Sequence, residues 1–533
     1  MLGRQRSTGR SSLIVFAVSV ICGGFLLGGI SESFAADRPQ WGEAWSRNNI
    51  SPEVGLPDWF DPGKVSSATG EVDLGTTANV RWVARLGTVT YATPIIAEGK
   101  VFQGTNNGNP RDPRVEGDRG ILMCFDEKTG EFLWQLVVSK LYEYKWADWH
   151  LCGITSPPTV ENGRAYLVSN RCEVLCLDIH GLADGNAGPF LDEGRHMSPP
   201  EDPPLEPTAK DADIIWLYDM PKELGVRPHN ASNCSILIDG DLLYVCTSNG
   251  VEWTHSRVDN PEAPSIIVLE KHAGRLVAVD DFGIGPDIIH GQWSSPAMGE
   301  VGGKKMIFWG GGNGFVYGFE ALKPDQLANA PKPLRIRPTW YFNGHPLAQT
   351  QDHIPYDHQE QSTSFEVVAN PVFYNNRVYV AVTQDAFHNM LDGWLVCLDA
   401  AGGGNITRNG LVWNYRGTRA CVSTVAIADG LLYVADHAGR LHCLDAESGS
   451  VYWVHDAGGP IWASPLVADG KIYLGTGRKA LWVLRAGRSL EVLHQITMPD
   501  RILCTPAAAH GTLYVATQRH LYAVAQPAVL TGR

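Results

Sequence analysis

Ten residues lie just ahead of a recurring Ser/Thr-Pro step or its equivalent, and their types are those that bind small molecules: Tyr91, His150, Cys152, His229, Asn233, His290, Trp293, Arg419, Trp462 and Arg501. Aromatic rings mixed with imidazole and guanidinium suit a flat, anionic ligand with polar edges. Packing between repeats accounts equally well for Tyr91, Trp293 and Trp462, because each stands two residues before a Ser or Thr. Two further stretches carry oxygen and proton chemistry. In Tyr244 to Trp253, Asn249 offers an amide oxygen of the kind that Ca²⁺ accepts, although Asn-Gly is also a plain turn sequence. In Gly285 to Trp293, Asp287 and His290 are groups able to take a proton from an alcohol. Asp184, Asn186, Asp192 and Glu193 form an acidic run whose spacing is not that of an EF-hand. Haem attachment by Cys-x-x-Cys-His, a Gly-Lys-Ser/Thr phosphate loop, a His-Glu-x-x-His zinc motif and a Gly-x-Ser-x-Gly elbow do not occur.

The elements that must position these residues are read from an internal repeat. A short apolar run follows the Ser/Thr-Pro, then a Gly or Asn turn, then a second run usually centred on an aromatic residue, as in Thr93 to Phe102 and Ser464 to Tyr473. Turn positions Gly99, Gly163, Gly240, Gly303, Asn376, Gly430, Gly470 and Gly511 mark eight copies, 40 to 77 residues apart. One copy cannot bury its own apolar faces, so the copies must stack. Each reads as four strands: A after the Ser/Thr-Pro, B with the aromatic residue, C with an apolar-Cys-Leu/Phe-Asp run, and D ending in Trp. Asp126 to Gly130 and Asp445 to Gly449 are the hairpin turns between C and D, and place Trp134 and Trp453 four residues beyond the glycine. Trp216, Trp340 and Trp413 hold the matching place elsewhere; Ala278 and Glu491 stand there in the third and seventh copies.

The last copy ends at His520 to Val524 without a D strand, while the orphan run Asn79 to Ala84 precedes the first. The two ends complement each other, which predicts an all-β, eight-bladed β-propeller of four-stranded antiparallel blades, closed by an N-terminal strand that completes the C-terminal blade. The expected layout is a signal peptide over 1–35, an extension over 36–78 packing across the outside of the ring, the propeller over 79–526 with a Pro- and acid-rich surface insertion at 179–213, and a tail over 527–533.

The Asp-x-x-Thr/Ser-Gly-x-x-x-Trp pattern of Asp126 to Trp134 and Asp445 to Trp453 resembles the tryptophan-docking motif of pyrroloquinoline quinone repeat propellers. The resemblance extends over about Asn79 to Val524 and implies the quinoprotein-like fold, which serves both quinone-dependent dehydrogenases and a non-catalytic outer-membrane assembly lipoprotein. For the dehydrogenases it implies pyrroloquinoline quinone and Ca²⁺ as cofactors. Trp293, Arg419, Trp462 and Arg501 would then hold the quinone, Asn249 the metal, and Asp287 or His290 would act as base. Only Asn249 matches the family's metal-binding loop, and Asp287 to His290 stands where the family carries His-Asp-x-x-Asp. Neither vicinal cysteines nor haem attachment accompany them.

Arg4, Arg6 and Arg10 precede an uncharged apolar stretch from Leu13 to Ile30 and then Ser33-Phe34-Ala35, which reads as an export signal cleaved near Ala35, with an uncleaved anchor as the alternative. The formal charge is −14, and removing the leader, whose Arg4, Arg6, Arg10 and Glu32 sum to +2, leaves −16. Such a surface repels phosphate backbones, so nucleic acid is not expected as a partner. Ten of the eleven cysteines follow the leader, and four of them, Cys124, Cys176, Cys397 and Cys443, fall in one strand position, as small core residues do. Two functions answer to this pattern. One is a periplasmic or secreted propeller that binds an envelope protein or a small polar ligand at the channel mouth. The other is a quinone- and Ca²⁺-dependent dehydrogenase of an alcohol or sugar.

Overall fold

The computed structural model describes residues 36–42, 44–141, 146–328, 332–351, 364–385 and 391–526. The expected leader and the tail lie outside them. Eight sheets follow one another in chain order, and strand A of each is the innermost of its own four strands: Ile95–Ala97, Thr159–Glu161, Leu237–Asp239, Ala297–Val301, Val372–Tyr374, Ala426–Ala428, Leu466–Ala468 and Ala507–Ala509. The eighth blade is completed by Val80–Arg85, paired antiparallel with His520–Val524 so that Trp82 faces Ala523. The ring therefore closes as the two chain ends require. Blades three, four and seven depart from the four-strand plan. Each gains a short parallel strand, supplied by Leu334–Ile336, Gly404–Asn405 and Ile50–Ser51 respectively.

The A–B hairpins show why the turn residues recur. In seven copies both turn residues have positive φ, as at Glu98 (52°) and Gly99 (73°) or Asn375 (49°) and Asn376 (58°), the pairing that matches strand twist. The third copy is different: Gly240 (61°) comes first in its two-residue turn and Asp241 second.

Across the blades, side chains form rows from strand B through C to D. Phe102, Cys124 and Trp134 are one such row; Tyr166, Cys176 and Trp216, Tyr379, Cys397 and Trp413, and Tyr433, Cys443 and Trp453 are others. A small residue is needed between two large rings, and this is what the recurring cysteine supplies. All ten described cysteines are free thiols. In the third and seventh blades the row reads Tyr244, Val268, Ala278 and Tyr473, Val483, His494, so a larger middle residue offsets the missing Trp. The seventh position is thus held by His494 and not by Glu491, because that C–D turn is one residue longer than the motif and its Gly487 stands two residues earlier than the motif's glycine.

Each docking Trp reaches the next blade. The indole N–H groups of Trp82, Trp134, Trp216 and Trp413 donate to Glu127, Ile179, Lys271 and Ala446 carbonyls at 2.9–3.0 Å. A Cβ on Gly130 would lie 2.5 Å from the Trp82 ring, and one on Gly274 2.4 Å from Trp216, so these turn glycines serve close approach as well as φ.

The Ser/Thr-Pro steps form a hoop round the channel. The backbone N–H of Ser235 donates to Ser295 Oγ, Ser295 to Asn370 Oδ1, Asn370 to Thr424 Oγ1, Thr424 to Ser464 Oγ and Ser464 to Thr505 Oγ1, at 2.7–3.0 Å. The hydroxyl or amide of each blade thereby satisfies the amide of the one before it.

Residues 38–53 lie elsewhere than on the outside of the ring. They cross its inner strands, where A-strand amides face the axis without a neighbour in their own sheet. Backbone carbonyls of Arg38, Pro39, Trp45, Ser46 and Asn49 accept from Ile96, Val160, Met298, Phe373 and Val467, and Asn48 Oδ1 accepts from Ile427. Ser51 Oγ bonds Ala508 O, and Glu53 accepts from Gly511 N, both in blade eight. Farther on, Leu56 and Phe60 enter the core between blades seven and eight. The 179–213 insertion also differs from a bare surface loop. Its helix Glu193–Met197 is largely buried, and His196 meets the carboxylate of Glu173 at 3.1 Å.

Candidate functional site

A cavity of about 640 Å³ lies within the hoop. Trp41 lines it from the N-terminal segment, and behind Trp41 the guanidinium of Arg47, fully buried, donates to Trp41 O, Pro296 O, Ser235 O and Ser235 Oγ at 2.7–3.0 Å. Burial lowers the Arg47 pKa to about 10. One end of the channel is thus covered by this chain's own N-terminal segment. The other end is ringed by segments preceding strand A and by B–C loops, as the propeller geometry requires.

Of the residues singled out by sequence, the cavity brings together Tyr91, Cys152, His229, Asn233, His290, Trp293 and Trp462. Tyr91 and Trp462 meet at 6.0 Å between ring centres, and burial first, then nearby Cys152 and Cys504, pushes the Tyr91 phenol up to about 12. Trp293 meets His290 edge-on at 4.9 Å and is tied by its indole to Ala231 O (3.0 Å). Arg419, Arg501 and Asp287 are exposed and are not among the described residues lining the cavity. His150 is exposed too, its Nδ1 3.3 Å from Asp118. Asn249 is fully buried outside the cavity lining. Its Oδ1 accepts from Arg227 N (2.9 Å) and its Nδ2 donates to Asn260 O (3.1 Å), so the amide staples two loops. Glu193 of the acidic run is buried and takes Asn186 Nδ2 at 2.8 Å.

Sequence reasoning passed over several residues that matter here. Trp146 and Trp149 stack at 4.9 Å on the loop before blade two, and that loop exchanges backbone bonds with Asn230 at 2.6 Å. His255, on the B–C loop of blade three, completes a triangle with His229 and His290, with ring centres 4.6, 4.6 and 5.0 Å apart. Its loop is shaped locally. Although desolvation opposes it, hydrogen bonds from Thr254 and Ser256 hold the Glu252 carboxylate at a pKa of about 2, and His255 N closes the turn on Glu252 O. Behind His290 lie two buried acids, Asp385 and Glu366. Both Glu366 oxygens lack a hydrogen-bond partner among the described residues; burial, then the Asp385 charge, pushes its pKa well above the carboxylate range. A signal was available in the length of the blade-three B–C loop, 247–265.

The lining tests the quinone directly. Among the described residues it contains no Arg, Lys, Asp or Glu. A molecule with three carboxylates finds no paired guanidinium there, and Ca²⁺, which takes six to eight or so oxygen ligands, finds no carboxylate. The described cavity does not fit quinone with Ca²⁺.

The eight radial sheets, the Trp docking and the strand closure define an eight-bladed β-propeller. Comparison with known proteins finds partial similarities. Residues 391–525 match the family described as outer membrane protein assembly factor BamB. A stretch of 119 residues is 28% identical to a quinohemoprotein alcohol dehydrogenase of Comamonas testosteroni, covering 19% of this chain and 16% of that protein's length. Among solved structures, BamB from Moraxella catarrhalis aligns with a TM-score of 0.49 at 11% identity, over 85% of this chain and 99% of that one. The quinohemoprotein alcohol dehydrogenase from Comamonas testosteroni aligns at 0.45 and 11%, over 93% and 82%. Among the described residues, no helix is long and apolar enough to cross a membrane.

Proposed function

We propose that this protein is an exported binding protein of the cell envelope that takes a small, neutral, polar-edged molecule into its axial cavity. The observation that carries the reading is the lining: seven aromatic rings interleaved with uncharged amides and hydroxyls, and no described side chain of fixed charge. Rings cover the apolar face of such a molecule, while Asn230, Asn233, Asn370 and the hoop hydroxyls meet its edges. Export rests on the basic, apolar and small-residue order of the leader.

Tryptophan fluorescence of the mature chain, titrated with a panel of aldoses and nucleosides, tests it. A saturable change with at least one of them, weakened in Trp462→Ala and kept in Trp59→Ala, supports the reading; no saturable change across the panel sinks it. The dehydrogenase reading draws on the 28% match to the alcohol dehydrogenase. Dye reduction with an alcohol and aldose panel, in the presence of pyrroloquinoline quinone and Ca²⁺, separates the two. Sustained turnover would favour the enzyme, and the lining argues for none.

A further inference from the structure

We infer that His229, His255 and His290 form a binding site for one divalent transition-metal ion of the zinc class, with a fourth coordination position facing the axial cavity. This deepens the binding reading and rests on it only for what the fourth position would meet. The three residues come from three places in the chain: the segment before strand A of blade three, the B–C loop of that blade, and the segment before strand A of blade four. Their ligand nitrogens all lie within 4.8 Å of one another. His229 Nε2 and His255 Nε2 are 3.1 Å apart. Tetrahedral coordination at Zn–N of about 2.0–2.1 Å separates two ligand nitrogens by about 3.3–3.4 Å, so this pair is already spaced for it.

The tautomers are set from behind. His229 Nδ1 is 2.8 Å from Val251 O, and since a carbonyl only accepts, Nδ1 carries the proton and Nε2 presents its lone pair. His290 Nδ1 is 3.3 Å from Asp385 Oδ2, an ion-pair distance, and its Nε2 accepts from Asn230 Nδ2 at 3.3 Å, so Nε2 is again the lone-pair atom, and the Asn230 amide must turn away for it to ligate. An imidazole whose far nitrogen donates to a carbonyl or carboxylate while the near one ligates is the usual outer arrangement at metal centres. His229 and His290 are buried, and His255 is half-buried on a loop whose Val251 and Val258 pack with Ile288. Nitrogen donors select zinc-like ions over Ca²⁺ and Mg²⁺. Among the described residues the His229, His255 and His290 group offers three imidazoles, His290 lying also within reach of Glu366 and Asp385, and three protein ligands with a position to spare is the pattern of reactive zinc sites, not structural ones.

The test uses untagged mature protein, stripped with chelator and titrated with Co²⁺, whose visible absorption reports tetrahedral nitrogen coordination. One equivalent giving an intense tetrahedral band that Zn²⁺ displaces and Ca²⁺ does not is the expected result. His255→Ala, in a half-exposed loop, should lose the band with the fold intact by circular dichroism. Asp385→Asn should keep the band and weaken affinity about 10–100-fold, whereas exposed His272→Ala should change nothing. Absence of a stoichiometric band, a weak octahedral spectrum, or unchanged affinity in His255→Ala overturns the inference. Trp462→Ala should leave the Co²⁺ titration untouched. Metal binding without any saturable fluorescence change would therefore preserve the metal site and discard the small-ligand function, and the reverse result would do the opposite.

Discussion

Replacing Arg47 with Met asks whether the N-terminal segment holds the ring's inner edge and the cavity's end. The substitution removes the donor of four bonds, each worth at least about 1.5 kcal/mol for a charged donor in a buried setting, or about 6 kcal/mol together. It also returns the desolvation penalty. Lowering of the Arg47 pKa from 12.5 to about 10 corresponds to about 3 kcal/mol against the charged form. The net loss is about 3 kcal/mol, which raises the population of an opened segment about 100-fold. Six A-strand amides, those of Ile96, Val160, Met298, Phe373, Ile427 and Val467, donate to this segment and to nothing in their own sheets. Hydrogen exchange at those amides should therefore accelerate by about two orders of magnitude in Arg47→Met, while B- and C-strand amides stay protected. Arg81→Met, which loses a single bond to Thr512 from an exposed side chain, is the control and should change stability by no more than about 0.5 kcal/mol. Unchanged exchange at the six amides, or equal acceleration in both variants, would refute the claim that Arg47 anchors the segment.

Three further outcomes are expected. Gly130→Ala should cost about 2–4 kcal/mol, strain at φ +71° plus collision with Trp82, whereas Gly99→Ala, with φ +73° and open space around it, should cost only the strain of about 1–2 kcal/mol; equal denaturation midpoints would deny the docking contact. Cys443→Leu should overpack the row between Tyr433 and Trp453 by about 1–3 kcal/mol, and adding Trp453→Ala to Cys443→Val, which imitates the third blade's row, should be less destabilising than the two single changes summed, as a double-mutant cycle would show. Glu173, buried against desolvation's upward push, is held at a pKa of about 2 by His196, Arg171 and Ser169. Its folded value lies below the ordinary 4.5, so its contribution is complete above about pH 4.5 and is lost as pH falls towards 2. Proteolysis of the 179–213 insertion should rise across that window, and Glu173→Gln should be equally sensitive at both ends of it.

Much of the ring was legible because each of its rules is local and repeated. Two-residue turns with positive φ call for Gly or Asn, a closed ring calls for complementary ends, and a row with two large rings calls for a small middle residue. The turn demand returns in seven copies and the row in most of the blades, so the chain itself determined blade number, closure at Trp82 and the place of the free cysteines. The Ser/Thr-Pro signal was visible without its purpose, since the hoop bond from Ser464 to Thr505 joins different blades and exists only once blades adjoin. Tertiary structure alone decided the site. Trp462 stands two residues before its hoop residue, a place held by Val422 and Leu503 in the neighbouring blades, whereas Arg419 and Arg501 lie five and four residues before theirs and are exposed, so the cavity is without fixed charge among its described residues. Asn249 matched a metal-binding loop and was spent on stapling its own. His229, His255 and His290 are separated by 26 and 35 residues and obey no spacing rule, because curvature of the ring, not periodicity of one element, brings blade three's loop over the start of blade four. Residues 38–53 carried no repeat at all; only the unsatisfied inner edges of eight sheets explain where they lie.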